Sequence, residues 1–136
     1  MAKTKAFNMA ELIRHLNYNA TNDTLETNKS IKSEGKVRKT KVTTTTAQQE
    51  IDSFVKADYS AAQYIITASQ GSEYHTTVIL INHDGDDAFS TQYADVMSDA
   101  VIATYTGNVS GSNIQLLATP VATNTTFKFQ VEFVDA

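Results

Sequence analysis

The sequence contains no cysteine, no tryptophan and only one proline among its 136 residues. Without cysteine, neither a disulfide framework nor a thiolate metal site can form. The five glycines do not fall into the pattern of a phosphate-binding loop or of a dinucleotide-binding fingerprint, so the sequence does not indicate either of these nucleotide-binding motifs. The first stretch, MAKTKAFNMAELIRHLN, has no apolar run long enough for a signal peptide or a membrane span. We therefore expect a soluble protein without disulfides that is made in a cytoplasm.

Charge is divided unevenly along the chain. Residues 1–46 carry nine basic and four acidic side chains, a balance of +5, whereas residues 47–136 carry two basic and eleven acidic side chains, a balance of −9. Residues 19–46 also contain only four large aliphatic side chains, which is typical of a segment that does not fold by itself. The pattern predicts a basic assembly arm with a helix at residues 1–46 and a folded domain at residues 47–136.

The beginning of the arm has the pattern of a short amphipathic helix. Asn8 can cap the helix, and Glu11 is correctly placed to complete a capping box. Phe7 and Leu12 have the spacing of a hydrophobic staple. One apolar stripe comprises Met9, Leu12, Ile13 and Leu16. The helix is predicted over residues 9–18, and it is too short to be stable alone. Its stripe therefore needs a partner surface.

From residue 48 onwards the pattern is that of short β-strands between turns. Strands are predicted near residues 51–55, 64–69, 74–82, 89–95, 100–106 and 114–118. Residues 74–82 have the composition of a strand buried on both faces, and Gly107-Asn108 is predicted to end a strand. In the last strand Phe127, Phe129, Val131 and Phe133 alternate with polar residues. The fold class is predicted to be mainly β: an antiparallel β-sandwich of about seven or eight strands with a short N-terminal helix and an extended arm.

The basic stretch from Lys29 to Lys41 admits three interpretations: a solvated linker, a nucleic-acid-binding arm or a strap between subunits. It has no aromatic residue to stack on bases, and its charge complements the acidic domain, which favours the strap. A helical turn near residues 23–28 and a strand over residues 37–46 are further options. The residues proposed for the assembly interface are Phe7, Met9, Leu12, Ile13, Leu16, Lys36, Arg38, Lys39 and Lys41.

Potential metal ligands are few. The run His83-Asp84-Gly85-Asp86-Asp87 offers carboxylates to a hard cation such as calcium, but it lacks the spacing of a helix–loop–helix calcium loop. We interpret it as a solvated hairpin turn. The histidines His15, His75 and His83 include no pair with the helical zinc spacing, although His75 and His83 could share a metal if strands brought them together. We expect no metal and no cofactor.

Catalytic patterns are missing as well. The sequence has no nucleophile elbow and no evident acid–base pair, so we predict a protein that is not an enzyme and has no catalytic or cofactor-binding residues. The tyrosines on or beside predicted strands, Tyr59, Tyr64, Tyr74, Tyr93 and Tyr105, could form a surface that stacks on sugars. Tyrosine on a strand more often packs in the sheet.

An ordered set of short motifs resembles a known kind of domain. The motifs are Ile51-Asp-Ser-Phe54, Ser60-Ala-Ala-Gln-Tyr-Ile-Ile66, Val78-Ile-Leu-Ile-Asn-His-Asp-Gly85, Thr91-Gln-Tyr-Ala-Asp-Val96, Ile114-Gln-Leu-Leu-Ala-Thr-Pro120 and Asn124-Thr-Thr-Phe-Lys128. Together they resemble a β-domain of virion structural proteins of tailed bacteriophages, especially phages of cyanobacteria and other marine bacteria. The resemblance covers about residues 50–130, and Gln63 stands where that family has a basic residue.

The resemblance implies a structural protein of a phage virion that is assembled in the host cytoplasm. The most specific expectation is a capsid decoration or cement protein, anchored by its N-terminal helix and arm to other virion proteins and to copies of itself. A tail, neck or fibre-attachment component is the alternative within the same class. A carbohydrate-binding adhesin module is an alternative from another class, and an enzyme such as a depolymerase ranks last. Neither a membrane nor nucleic acid is expected as a partner.

Overall fold

The computed structural model describes residues 16–19, 24–27 and 37–136, and the chain divides into a unit ending at Glu34 and a unit beginning at Gly35. In the first unit, β1 (Leu16–Asn19) pairs antiparallel with β2 (Thr24–Thr27). Residues 9–15 of the predicted helix lie outside the described residues, while residues 16–18 belong to β1. The optional helical turn near residues 23–28 is instead strand β2, consistent with the β-branched threonines at both its ends.

The second unit contains eight strands in two antiparallel sheets, and no helix occurs within residues 37–136. The strands are β3 (Val37–Thr43), β4 (Gln49–Val55), β5 (Tyr59–Gln70), β6 (Glu73–His83), β7 (Ala88–Met97), β8 (Ala103–Ser110), β9 (Asn113–Pro120) and β10 (Thr125–Asp135). One sheet has the order β3-β10-β5-β6-β7, and the other has the order β4-β9-β8. The prediction of a mainly β, antiparallel fold with about eight strands is confirmed.

Period-2 alternation places the core between the two sheets. Phe127, Phe129 and Val131 of β10 are buried together with Tyr64 and Ile66 of β5, while their sequence neighbours face outward. Alternate side chains of a strand point to opposite faces, so each strand contributes one row to the core. The other sheet contributes its inward row mainly from β9, where Ile114, Leu116 and Ala118 are buried. The alternation predicted for the last strand is confirmed.

Two strand predictions were wrong in instructive ways. Strand β6 is buried on one face only, because Ile79 and Ile81 are buried whereas Leu80 is 45% exposed. Its outward row is apolar by composition but has no second layer to cover it within the described residues. Gly107 does not end a strand, since β8 continues to Ser110. A side chain at Gly107 would place its Cβ 2.7 Å from Ile81 Cδ1, so this glycine serves the close approach of the two sheets.

Part of the predicted arm belongs to the sandwich. Residues 37–43 form β3, which pairs with β10 from Val37–Val131 to Thr43–Thr125. The charge balance along the sequence changes near residue 46 and predicts the domain boundary there. The open edge of β10 supplies the backbone partners that make this polar, β-branched segment a strand. Strand β3 is therefore an edge of the five-stranded sheet.

Candidate functional site

Strand β3 carries the basic residues predicted for the interface, and the pairing with β10 assigns each to a face. Arg38 is opposite Gln130, and Thr40 is opposite Lys128, on the outer face of the sheet. Lys39 and Lys41 are opposite Phe129 and Phe127, on the inner side. The remaining predicted residues Phe7, Met9, Leu12, Ile13 and Lys36 lie outside the described residues, as does the side chain of Leu16.

The outer side of β3 borders an open groove of about 410 Å³. The groove is lined by Arg38, Lys39, Thr40, Ile65, Lys128, Phe129 and Gln130. Arg38 and Lys128 are both exposed, and neither forms an ion pair within residues 37–136. No acidic side chain is among the lining residues. The groove therefore presents two uncompensated cations and an amide beside the apolar side chain of Ile65.

Lys39 points to the opposite face and is paired inside its own domain. Its Nζ lies 2.5 Å from Oδ1 of Asp52 on β4, and the hydroxyl of Tyr64 on β5 donates to Oδ2 of the same carboxylate at 3.2 Å. Burial, followed by the negative charge and the hydrogen bond of Asp52, raises the pKa of Tyr64. This cluster joins the edge of one sheet to the edge of the other and pairs Lys39 within its own domain.

A β-bulge turns Asp52 inward. The register between β4 and β9 shifts between Glu50 and Asp52, so that the consecutive residues Ile51 and Asp52 are both buried. A bulge places one extra residue in a strand and redirects the side chains that follow. Sequence alternation alone assigns Ile51 and Asp52 to opposite faces. The buried carboxylate was therefore missed by the sequence analysis, and the only sequence signal for it was an acidic residue within an apolar strand.

A second pair of hydrogen-bonded polar side chains, His75 and Asp95, lies between β6 and β7. His75 is fully buried, with Nε2 at 3.2 Å from Asp95 Oδ1, and its Nδ1 accepts a hydrogen bond from the backbone N–H of Ile102 at 3.4 Å. Because Nδ1 accepts, the ring proton is on Nε2 and is donated to Asp95. Both ring nitrogens are occupied. This histidine–aspartate pair has no vacant nitrogen with which to activate a nucleophile.

Asp95 is held in place by several donors. The Thr77 hydroxyl, the Gln92 amide and the His75 imidazole lower the pKa of this carboxyl. The preceding residue, Ala94, has φ of 56°, at a point where the pairing of β6 and β7 is irregular. A positive φ is costly for a residue other than glycine. The hydrogen bonds from Gln92 and His75 hold the side chain of the next residue, Asp95, in place.

The acidic run is a hairpin turn between β6 and β7, as the sequence analysis interpreted it. The carboxylate of Asp84 accepts hydrogen bonds from the backbone N–H groups of Asp86 and Asp87, at 3.0 and 2.8 Å. These bonds, that of Asp87 first, lower the pKa of Asp84. Gly85 has φ of 106°, a conformation available mainly to glycine. The side chains of Asp86 and Asp87 remain exposed at the tip.

The histidines do not converge on a metal. His75 and His83 are eight residues apart on the same strand β6, about 26 Å in an extended chain, which excludes a site shared between them. His83 Nε2 lies 2.8 Å from the carbonyl oxygen of Tyr59. Among the described residues, no group of three or more potential ligands is arranged to hold a metal ion. His15 lies outside the described residues.

The five tyrosines considered for a sugar-stacking surface do not form one surface. Tyr64 is in the core, Tyr59 stacks on Phe133 with ring centroids 4.5 Å apart, and the hydroxyl of Tyr105 is buried without a hydrogen-bond partner within residues 37–136. Burial, assisted by the charge of Asp95, raises the pKa of Tyr105. Tyr74 and Tyr93, 54% and 42% exposed, face outward. Only these two keep the accessibility that stacking on a sugar requires.

Comparisons with known proteins give no family assignment. No protein-family model matches the sequence, and no curated protein sequence matches it. The structure is similar to solved structures, and two of these are tailspike proteins. One is the tailspike protein of Acinetobacter phage vB_ApiP_P1, with a TM-score of 0.48 and 13% identity, covering 79% of this chain and 23% of that chain. The other is the tailspike protein of Acinetobacter baumannii phage AM24, with a TM-score of 0.45 and 7% identity, covering 75% and 26%.

This chain thus spans about a quarter of the length of either tailspike chain. Within the part of the chain that the structure describes, no helix is long and apolar enough to cross a membrane. Three surface features within residues 37–136 are of interest for recognition: the groove beside β3, the acidic tip at Asp86 and Asp87, and the outward row of the large sheet that contains Ile65, Leu80 and Tyr93.

Proposed function

We propose that this chain is a non-enzymatic structural protein of a tailed-phage virion, and specifically a capsid decoration or cement protein. The sandwich of residues 37–136 is the body, and the preceding residues anchor it to other virion proteins. A tail, neck or fibre-attachment role is the alternative within the proposal. The two tailspike similarities have TM-scores below 0.5 and do not carry it.

The observation that carries the proposal is where the phage-like motifs fall in the fold. Asp52 and Phe54 of the first motif and Tyr64 of the second are buried, and Asp52 and Tyr64 form the hydrogen bond between the sheets. The third motif ends in the turn at Gly85. The resemblance therefore concerns the residues that build the sandwich. Gln63, the departure from the pattern, is exposed and has no part in that framework.

The polar interior supports a structural role. Asp52 accepts hydrogen bonds from both Lys39 and Tyr64, and His75 is bonded at both ring nitrogens. Bonded buried polar groups of this kind fix one packing arrangement and leave little for chemistry on a substrate. Within residues 37–136 the buried exceptions are the Tyr105 hydroxyl and His83 Nδ1, which have no hydrogen-bond partner. The exposed recognition features lie on the outside of the large sheet and at a turn. This is the arrangement of a rigid body that binds through its surface.

Truncation of the N-terminal unit tests the anchor. Particles are purified from cells that produce either the full chain or residues 35–136, and copies per particle are counted by quantitative mass spectrometry. We expect the full chain on the particle and the truncated body absent from it. The matched control is Phe7→Ala alone, which trims the predicted staple and should lower occupancy without abolishing it. A truncated body that occupies the full number of sites would refute the anchor.

Copy number distinguishes the two locations. A number that follows the count of capsid subunits supports decoration, whereas a small number that follows tail symmetry supports a tail component. Absence of the full chain from purified particles would refute the virion role. Turnover of a glycan or peptide substrate by residues 35–136 would refute the non-enzymatic assignment.

A further inference from the structure

The outer face of the five-stranded sheet carries different kinds of side chain at its two edges and at its centre. One cross-strand row runs through Arg38, Gln130, Ile65, Val78 and Tyr93, from β3 to β7. Residues directly opposite in neighbouring strands point to the same face. The cations Arg38 and Lys128 lie at the β3 edge, and apolar side chains follow toward the middle. The β7 edge carries Phe89, which is 56% exposed, close in sequence to the acidic tip.

The centre of this face is apolar and uncovered. Ile65, Leu80 and Tyr93 are 38%, 45% and 42% exposed, and Val78 lies among them, opposite Ile65 and Tyr93. Contiguous exposed apolar area on a soluble domain marks a binding surface more often than a free one. The neighbouring row runs from Glu132 on β10 through Gln63 and Leu80 to Thr91 on β7.

The polar groups in the middle of the face are already bonded to one another. The amide of Gln63 donates to the Tyr93 hydroxyl at 3.0 Å, and the hydroxyls of Thr67 and Thr76 are 2.8 Å apart. Burying a polar group is costly mainly when it loses its hydrogen-bond partners. These groups keep their partners when the centre of the face is covered, so their desolvation costs little. The exposed carboxylate of Glu132, opposite Gln63 on β10, is a charged group of the same face that the contact has to leave in water.

We propose that the outer face of the five-stranded sheet binds the same face of a second copy of this chain. In this pair, the acidic tip of each copy, Asp86 and Asp87, enters the basic groove of the other at Arg38 and Lys128. The partner copy supplies the carboxylates that the groove lacks. Phe89, beside the tip, covers apolar surface near Ile65.

The arrangement of the face makes it self-complementary. The two outer faces meet in a contact plane between the copies. A two-fold axis that lies in this plane, midway between the groove and the tip and perpendicular to the line that joins them, brings each groove opposite the other copy's tip. The apolar centre then lies on the axis. Such an isologous contact closes at two copies. A sheet face about 19 Å wide and about 30 Å long presents on the order of 600 Å², near the roughly 800 Å² per partner of stable interfaces.

The tip is a suitable partner for the groove on chemical and structural grounds. Asp84 accepts hydrogen bonds from the backbone of Asp86 and Asp87, which fixes the turn before contact and lowers the entropy lost on binding. The lining of the groove is free of acidic side chains, although the domain as a whole is acidic. The inference concerns purified protein in solution and does not depend on the virion role.

Charge reversal with rescue tests the pair. Sedimentation velocity of the purified full chain, over a concentration series, should show a monomer–dimer equilibrium. Arg38→Glu with Lys128→Glu should raise the dimer dissociation constant about tenfold or more, and so should Asp86→Lys with Asp87→Lys. In a homodimer of either variant, groove and tip carry charges of the same sign and repel each other. In a heterodimer of the two variants, an acidic groove meets a basic tip and a basic groove meets an acidic tip, so both contacts are complementary. The mixture, and the variant with all four changes, should therefore associate again.

The controls separate this contact from general charge and from folding. Lys41→Glu reverses one cation of the same strand on its inner side, and it should leave the dissociation constant unchanged. Leu80→Glu, at the apolar centre, should abolish the dimer without altering either charged site. Circular dichroism and thermal unfolding confirm that each variant is folded. A wild-type chain that stays monomeric throughout the concentration series would overturn the proposal. Failure of both the mixture and the variant with all four substitutions to associate would overturn it as well.

Discussion

Asp52 shows how much a single residue contributes to joining the two sheets. Its carboxylate oxygens contact Lys39 on β3 and Tyr64 on β5, while its own strand β4 belongs to the other sheet. Truncating one partner of a buried hydrogen bond costs more than the bond is worth, because the remaining group is left desolvated. The consequence can be measured in a double-mutant cycle.

We expect Asp52→Ala to lower the free energy of unfolding by about 1–3 kcal/mol, the usual cost of a buried polar group left without a partner. Tyr64→Phe should cost less, and the double variant should be more stable than the sum of the two losses predicts. Urea denaturation of residues 35–136 measures all three. Glu132→Ala, at an exposed position, is the control. Strict additivity of the two changes would show that the carboxylate and the hydroxyl are not coupled.

Phe129 tests the direction of the alternation in β10. It is 5% exposed and packs near Tyr64, with ring centroids 5.9 Å apart. Phe129→Ala should lower the free energy of unfolding by about 3–5 kcal/mol, because a large buried side chain is replaced by a small one. Lys128→Ala, one residue away on the exposed face, should change it by less than about 0.5 kcal/mol. Equal losses for the two variants would contradict the assignment of faces.

Asp95 gives a prediction about pH. Its pKa lies below the ordinary value of 3.8 because the polar groups of Thr77, Gln92 and His75 beside it favour the ionised carboxyl, and the Gln92 amide and the His75 ring bond to its Oδ1. A lowered folded-state pKa stabilises the fold above the unfolded-state pKa, and this contribution is lost as the pH falls through the folded-state pKa. Asp95→Asn should therefore be less stable than wild type at pH 7. The difference should shrink once the pH falls below 3.8.

The size of that effect should be small. The Asp95 side chain is 39% exposed, so solvent screens its interactions and the loss should stay below about 1 kcal/mol. Thermal unfolding of both proteins between pH 7 and pH 3 provides the comparison. Asp99→Asn, an exposed carboxylate on the loop after β7, is the matched control. A stability difference that grows on acidification would have the opposite sign to the one derived.

At the scale of elements, the two edges of the large sheet differ. At one edge, β7 contains an irregular pairing with β6 and a residue of positive φ, Ala94. Bulges of this kind prevent an edge from adding further strands. The other edge, β3, carries Arg38 and Lys39 within a seven-residue strand. Charged side chains protect an edge in a different way, and they leave the outer face of that edge basic.

Strand β3 also determines which truncation the body tolerates. We expect residues 35–136 to fold as a soluble domain, because every strand of both sheets is retained. Residues 47–136 should unfold at a lower denaturant concentration, since the β10 edge becomes unpaired and Asp52 loses Lys39. Urea midpoints of the two proteins provide the measurement. Equal midpoints would indicate that β3 adds nothing to the stability of the sandwich.

At the scale of the whole molecule, the charge difference between the N-terminal segment and the body predicts a salt response. Exposed charge pairs are screened over about 8–10 Å near physiological ionic strength, whereas apolar burial is not screened. Elevated salt should therefore release a fraction of the protein from purified particles and leave the rest bound through the predicted apolar stripe of residues 9–16. Pelleting the particles across a salt series measures retention.

The nucleic-acid alternative makes a different prediction for the same experiment. If residues 1–46 bind DNA, a peptide with this sequence should bind duplex DNA with an affinity that falls steeply with salt. The strap hypothesis predicts no such binding by the peptide and a contact with protein instead. Cross-linking of intact particles followed by peptide mapping identifies which contact is made. Cross-links to nucleic acid alone would contradict the strap.

Much of the fold could be predicted from the sequence. Alternation over residues 127–133 identified a strand, and the turn residues around Gly85 identified a hairpin, because side-chain period and backbone freedom are local properties. The strand order, the bulge at Asp52 and the pairing of β3 with β10 were not predicted. Each of these depends on a distant segment: β9 for the bulge, and the open edge of β10 for β3.

For the candidate site, the sequence indicated which types of side chain are present, and the tertiary structure decided which of them lie together. The residue types alone indicated a basic strand, an acidic turn and the absence of catalytic motifs. Only the sheet register placed Arg38 and Lys128 together outside while directing Lys39 inward to Asp52. It also left the outward row of β6 uncovered. The physical reason is that charge and periodicity are encoded within a segment, whereas which face is buried and which side chains meet depend on the strand paired alongside.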